Sequence, residues 1–211
     1  MGTGETTWIR ISILSILCML DSIFGDLAEA ALRYWQTVVG PGLEKGILVG
    51  PTSGTNYTES PVFADRSVLA LQLYFDAVVT SSNALGRAAV ATRKYYVLSF
   101  RVSNVPFLLK QAEAIVPAAV VPPDAYDHIG FDGIIKALQQ EFDELAAGVV
   151  IRESGHEIRA AVMSLHADNE AAQIAAGVTT SSGTHFCRQC NATRATMYSF
   201  PEYVLPFTLD R

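Results

Sequence analysis

The sequence predicts an α/β fold, a mixed sheet flanked by helices, and three observations carry that expectation. Apolar or β-prone runs of strand length occupy 68–75, 95–102 and 158–165, the segment 131–147 repeats its apolar residues at helical spacing, and clusters of turn residues separate these elements. Half of the 211 residues are apolar and only 17% are charged, which is enough to bury one sizeable core and excludes a wholly disordered chain.

At the start, Ile9, Ile13, Ile16, Leu17, Leu20, Phe24 and Leu27 recur three or four apart. That is one stripe of an amphipathic helix, and residues 1–39 are expected to form an N-terminal helical segment. A rival expectation is a secretory leader, with Arg10 ahead of the apolar run 11–20 and Ala28-Glu29-Ala30 as a small-residue cleavage site. The run is far shorter than the roughly 18 residues of a membrane span, and Glu5, Asp21 and Asp26 break the leader pattern. Residues 40–60, rich in Gly, Pro, Ser and Thr, read as a linker.

A core is expected over 61–180. Its first strand, 68–75, ends at Asp76, and its second, 95–102, follows an Asn83-Ala84-Leu85-Gly86 turn. The third, 114–121, contains Pro117, which confines it to an edge or a bulge, and Pro122-Pro123 stops it. Ile134, Ile135, Leu138, Phe142 and Leu145 keep helical spacing, with Gly148 placed just past the helix end. The fourth strand, 158–165, runs into His166-Ala167-Asp168, and an Ala-rich helix, 169–176, starts with Asn169 near its cap. The resulting order of strand, strand, strand, helix, strand, helix is that of an RNase H-like sheet. In that layout the first and fourth strands are neighbours, and Asp76 and Asp168 can meet at one end.

The net charge of −6 argues against a generic nucleic-acid coat. The average hides a reversal: 87–110 holds five bases (Arg87, Arg93, Lys94, Arg101, Lys110) and no acid, whereas 111–170 holds eleven acids against three bases. Such a basic strip can face a phosphate backbone, or it can simply be a solvated face. Three cysteines, two of them spaced Cys187-x-x-Cys190, suit reduced thiols better than a disulfide framework. This pair has the spacing for two ligands of a tetrahedral Zn²⁺, with His185 as a candidate third; a thiol pair without metal is the alternative. His128, His156 and His166 stand apart from any metal-ligand pattern, although His166 can approach Asp168. No nucleophilic triad, phosphate-cradling glycine loop or dinucleotide fingerprint is present.

Three segments together resemble transposon-encoded proteins of animals related to the CACTA-like and Kyakuja, Dileera and Zisupton groups of cut-and-paste transposases. The first is Leu71-Gln72-Leu73-Tyr74-Phe75-Asp76 with Asn83-Ala84-Leu85-Gly86 and Arg93-Lys94; the second is the acidic helix 131–148. The third runs from Ala167-Asp168-Asn169-Glu170-Ala171 through Gly177 to Phe186-Cys187-Arg188-Gln189-Cys190-Asn191-Ala192-Thr193. The likeness spans residues 57–200. It departs from the family where Ala77 replaces a second aspartate and where Ala84 and Glu170 replace prolines.

The resemblance implies a partial RNase H-like transposase core in which Asp76 and Asp168 are two of three catalytic acids and hold Mg²⁺ or Mn²⁺. The third acid, and further zinc ligands, are expected after Arg211, so that this fragment, with its C-x-x-C segment at 181–211, is expected to be inactive alone. It further implies a nuclear protein that contacts transposon-end DNA through Arg87, Arg93, Lys94 and Arg101, with a homo-oligomer as a further expectation and no membrane partner. A domesticated or decayed relic that binds DNA or protein without catalysis, and a small secreted α/β protein, are the competing expectations.

Overall fold

The computed structural model describes residues 8–80, 93–109 and 114–177. β1 (Ile9–Arg10) leads into α1 (Ile13–Phe24) and α2 (Leu27–Tyr34), which continues through a π-helical turn into α3 (Gly40–Glu44). Two 3₁₀ turns flank α4 (Thr55–Thr58) before β2 (Leu69–Thr80). Then come β3 (Arg93–Val102), α5 (Pro106–Leu109), β4 (Val116–Val121) and α6 (Pro123–Ala147). A small hairpin of β5 (Val149–Val150) and β6 (Glu157–Ile158) precedes β7 (Ala160–Ala167) and α7 (Asn169–Ala175).

The N-terminal apolar stripe folds as two helices rather than one. Ile9 and Arg10 lie in a strand, and the Ser12 hydroxyl caps α1 by accepting from the Ser15 N–H. Gly25 ends α1 at φ 84°, a left-handed backbone that favours glycine, and the Asp26 carboxylate caps α2 through the Glu29 N–H. Glu141 of α6 reaches the free end of α1: its Oε1 accepts from the Ser12 hydroxyl and, at 2.9 Å, from the Leu14 N–H. A carboxylate there complements the positive helix terminus. Ile13, Leu17, Leu27 and Ala31 are buried in the main core, so this segment is an integral layer of the fold.

The sheet is mixed, in the order β1-β4-β3-β2-β7. β2 pairs antiparallel with β3, β3 with β4 and β4 with β1, whereas β2 and β7 run parallel. Side chains alternate across β2. Leu69, Leu71, Leu73 and Phe75 enter the core under α1, α2 and α6; Val68 and Ala70 join Tyr57 and Phe63 in a smaller cluster on the other face. Fully burying a side chain of this size contributes about 1.5–3 kcal/mol. The stretch 40–60, expected as a linker, carries short helical turns and places Tyr57, only 1% exposed, in that second cluster.

Several expected boundaries shift for local reasons. β2 continues past Asp76 to Thr80 because residues 77–80 keep pairing with Tyr96, Tyr95, Lys94 and Arg93. Pro117 sits opposite Ser99, next to a register shift between Leu98 and Ser99, so the proline is accommodated by a bulge; β1 covers Ala119 and Val120, so this part of β4 is not an edge. Pro122-Pro123 begins a helix instead of only ending a strand, with Pro122 as cap and Pro123 at the first helical position, where no N–H is needed. Gly130 (φ 61°, ψ −172°) kinks α6; beyond it the helix runs as expected to the Gly148 terminus, burying Ile134, Leu138 and Leu145. Ile158 pairs back with Val149, so the fourth strand of the core starts at Ala160 and reaches Ala167. Among the described residues, no helix is long and apolar enough to cross a membrane.

Candidate functional site

The parallel pairing of β2 with β7 ends on Phe75 opposite Ala167. Asp76 and Asp168 are the next residues on each strand, so two carboxylates distant in sequence arrive side by side at one end of the sheet. They differ in local setting. Asp76 lies within β2, opposite Val97 of β3, and its Oδ1 accepts from the Ala77 N–H at 2.7 Å. Asp168 is the cap of α7, with Asn169 as the first helical residue, and its Oδ1 accepts from the Ala171 N–H at 2.7 Å. On each residue Oδ2 has no hydrogen-bond partner among the described residues. Both side chains are exposed.

Both aspartates line a small cleft of about 30 Å³ with Lys94, Phe75, Tyr96, Ala171 and Ile174. A space of this size exceeds the roughly 10–15 Å³ that one water needs. The Lys94 ammonium, 5.4 Å from the centre of the Tyr96 ring, supplies a cation on the wall. A larger groove of about 480 Å³ between α2 and α5 is mostly apolar. Its charges are already engaged, Asp26 as a helix cap and Arg33 in a pair with Glu29, so it offers no converging reactive groups.

Next to the aspartates, on the sheet face opposite Leu71, Leu73 and Phe75, lies a polar network. Gln72 is its hub and is 1% exposed. Its Oε1 accepts from Arg101 Nε at 2.9 Å and from the Tyr74 hydroxyl at 3.3 Å. Gln72 Nε2 and the Ser164 hydroxyl both contact His166 Nε2, at 3.2 and 3.0 Å. The His166 ring stacks on Tyr74 with centroids 5.1 Å apart, and the Arg101 guanidinium lies 5.6 Å from the Tyr74 ring centre.

A second cluster joins α1, α2 and the β5–β6 hairpin. The Asp21 side chain is fully buried and accepts from the Leu27 N–H, the Ser154 hydroxyl and His156 Nδ1. This hydrogen bond, aided by the charges of Asp21, Asp26 and Glu29 against partial burial, raises the His156 pKa above its ordinary 6.5. Candidate ligand atoms of Asp21, Asp26 and His156 lie within 4.8 Å of one another. Each of the two carboxylates already serves the backbone of the α1–α2 corner, which accounts for the cluster as a structural tie.

Of the residues singled out by sequence, Asp76, Asp168 and Lys94 line one cleft, whereas Arg101 stands opposite Gln72, further back along the sheet, and is held by it. Arg93 opens β3 opposite Thr80. Arg87, His185, Cys187 and Cys190 lie outside the described residues. Cys18 is free and half-buried; burial, then the charges of Glu153 and Asp21, push its thiol pKa up. Sequence reasoning missed the roles of Gln72, Tyr74, Ser164 and His156. A signal existed in Gln72-x-Tyr74-x-Asp76, an every-second-residue polar set inside an otherwise apolar strand. The Asp21–His156 contact leaves no local pattern, because 135 positions separate its partners. Comparison with known proteins gives no matching family model and no matching curated relative.

Proposed function

We propose that this chain is part of an RNase H-like transposase core, whose intact form cleaves and joins DNA with divalent metal ions in the nucleus. The observation that carries the reading is the placement of Asp76 and Asp168 on adjacent parallel strands, one step beyond the Phe75–Ala167 pair. Three antiparallel strands followed by a fourth parallel to the first match the strand order expected of that fold, which supports the reading without identifying the reaction.

The donor set fits the ion. Mg²⁺ and Mn²⁺ favour hard oxygen ligands, and each aspartate keeps Oδ2 free while Oδ1 is oriented by a backbone N–H. Asp76 and Asp168 would hold the ion, which in a complete site activates the attacking oxygen and stabilises the leaving one. Two carboxylates make a partial ligand set, so ion binding is expected to be weak and cleavage by this chain slight or nil. Lys94 on the cleft wall and Arg101 opposite Gln72 are the cations that would meet DNA phosphates in this reading.

One observation favours the second reading, a relic that binds DNA or protein without catalysis: Lys94 lines the same cleft and can balance the carboxylates with no ion present. Iron-directed backbone cleavage separates the two. Fe²⁺ with peroxide should cut the polypeptide near residues 76 and 168, and excess Mg²⁺ should suppress the cuts. Cleavage spread evenly along the chain, or unaffected by Mg²⁺, would support the relic.

A further inference from the structure

The hydrogen-bond directions around Gln72 determine the protonation of a neighbouring ring. Arg101 Nε can only donate, so the Gln72 oxygen must face it and the Gln72 amide nitrogen must face His166. That nitrogen donates, hence His166 Nε2 must accept, and the Ser164 hydroxyl donates to the same atom. A neutral imidazole that accepts at Nε2 carries its proton on Nδ1. His166 Nδ1 has no partner among the described residues, and neither do the two terminal nitrogens of Arg101.

The fold therefore holds two sets of unused donors on one sheet face. Arg101 stands opposite Gln72, and His166 stands opposite Tyr74. Tyr74 lies against both, so its ring fixes the guanidinium and the imidazole in place. Gln72, almost wholly buried, cannot turn over without setting its NH₂ against the Arg101 Nε–H. Pre-set donors of this kind suit an acceptor-only ligand with several oxygens. By strand alternation Asp76 belongs to the same face, further along β2, with Asp168 just past the end of β7 beside it, which leaves carboxylates for a metal at one end and donors for an anion at the other.

We propose that Arg101 and His166, positioned by Gln72, Ser164 and Tyr74, form a phosphodiester-binding site for a nucleic-acid strand beside the Asp76–Asp168 pair. The assignment rests on the proposed function for its nucleic-acid ligand, but its geometry is independent of any metal. His166 contributes an Nδ1–H donor and Arg101 a charged fork.

The test is long-range ¹H–¹⁵N spectroscopy of the full chain in chelator, first free and then titrated with a thymidine dinucleotide or with inorganic phosphate. The free protein should show His166 protonated at Nδ1. The dinucleotide should shift the His166 ring and Arg101 Nε signals together, with inorganic phosphate producing a weaker form of the same change. Arg101→Lys keeps the charge but loses the Nε donor, and should relax the His166 tautomer preference and abolish the dinucleotide shift; His166→Gln should abolish the Arg101 shift. A His166 protonated at Nε2, a dinucleotide that moves neither signal, or a response to inorganic phosphate alone would overturn the assignment. Asp76→Asn with Asp168→Asn should leave these spectra responsive, so a wild-type chain that binds no Mn²⁺, or a double variant that binds it as wild type does, would sink the nuclease reading without touching this one.

Discussion

Asp76 and Asp168 stand next to each other at the end of the β2–β7 ladder, yet one lies within a continuing strand and the other caps a helix. The difference separates stability from chemistry. Asp168→Ala removes the acceptor for the Ala171 N–H and should cost about 1 kcal/mol in urea unfolding, whereas Asp168→Asn keeps the cap and should cost only a few tenths. Equal losses in the two variants would show that the cap is not the source.

Leu17 is fully buried in the same core as Leu71 and Ile134. Leu17→Ala is expected to destabilise the protein by about 3 kcal/mol, within the range for cavity-forming substitutions. The same substitution in a segment that does not belong to the folded core would leave the unfolding midpoint unchanged.

The His156–Asp21 pair makes stability depend on pH. Because His156 has a raised pKa in the folded state, its protonated form contributes stability that is complete below the ordinary 6.5 and is lost as pH rises through the folded value. Denaturation midpoints should therefore fall over that window, and His156→Ala should remove this part of the slope. Asp21→Ala should cost about 2 kcal/mol above that window, since it strips the Leu27 N–H and Ser154 hydroxyl of a buried acceptor, and more below it, where protonated His156 also loses its partner.

Gly130 places the kink in α6 at φ 61° and ψ −172°, a conformation open almost only to glycine. A Cβ there would meet no atom within 4 Å, so Gly130→Ala tests backbone strain without a clash. The expected cost is about 1–3 kcal/mol, with the unfolding slope unchanged. A neutral substitution would mean that the kink relaxes into a continuous helix.

The strands and the α6 helix were legible because their signals are local: the apolar runs of β2 and β7, and the spacing of Ile134, Leu138 and Leu145 before Gly148. Even the meeting of Asp76 and Asp168 followed from strand order, since a parallel pair aligns the ends of its members. What stayed hidden depends on contacts distant in sequence. The extension of β2 past Asp76 needs Tyr96 and Tyr95 opposite it, the Gly25 corner needs Asp21 to be received by Ser154 and His156, and the burial of Gln72 needs Arg101 and His166 from two other strands. Pro122-Pro123 misled because the same residues that close a strand also open a helix.

Mn²⁺ binding measured by electron paramagnetic resonance tests most directly the proposal that Asp76 and Asp168 share one divalent ion. The wild-type chain should bind one Mn²⁺ weakly at this site, each of Asp76→Asn and Asp168→Asn should weaken that binding, and the double variant should lose it with the fold intact by circular dichroism. Wild type that binds no ion, or variants that bind Mn²⁺ as wild type does, would contradict the account.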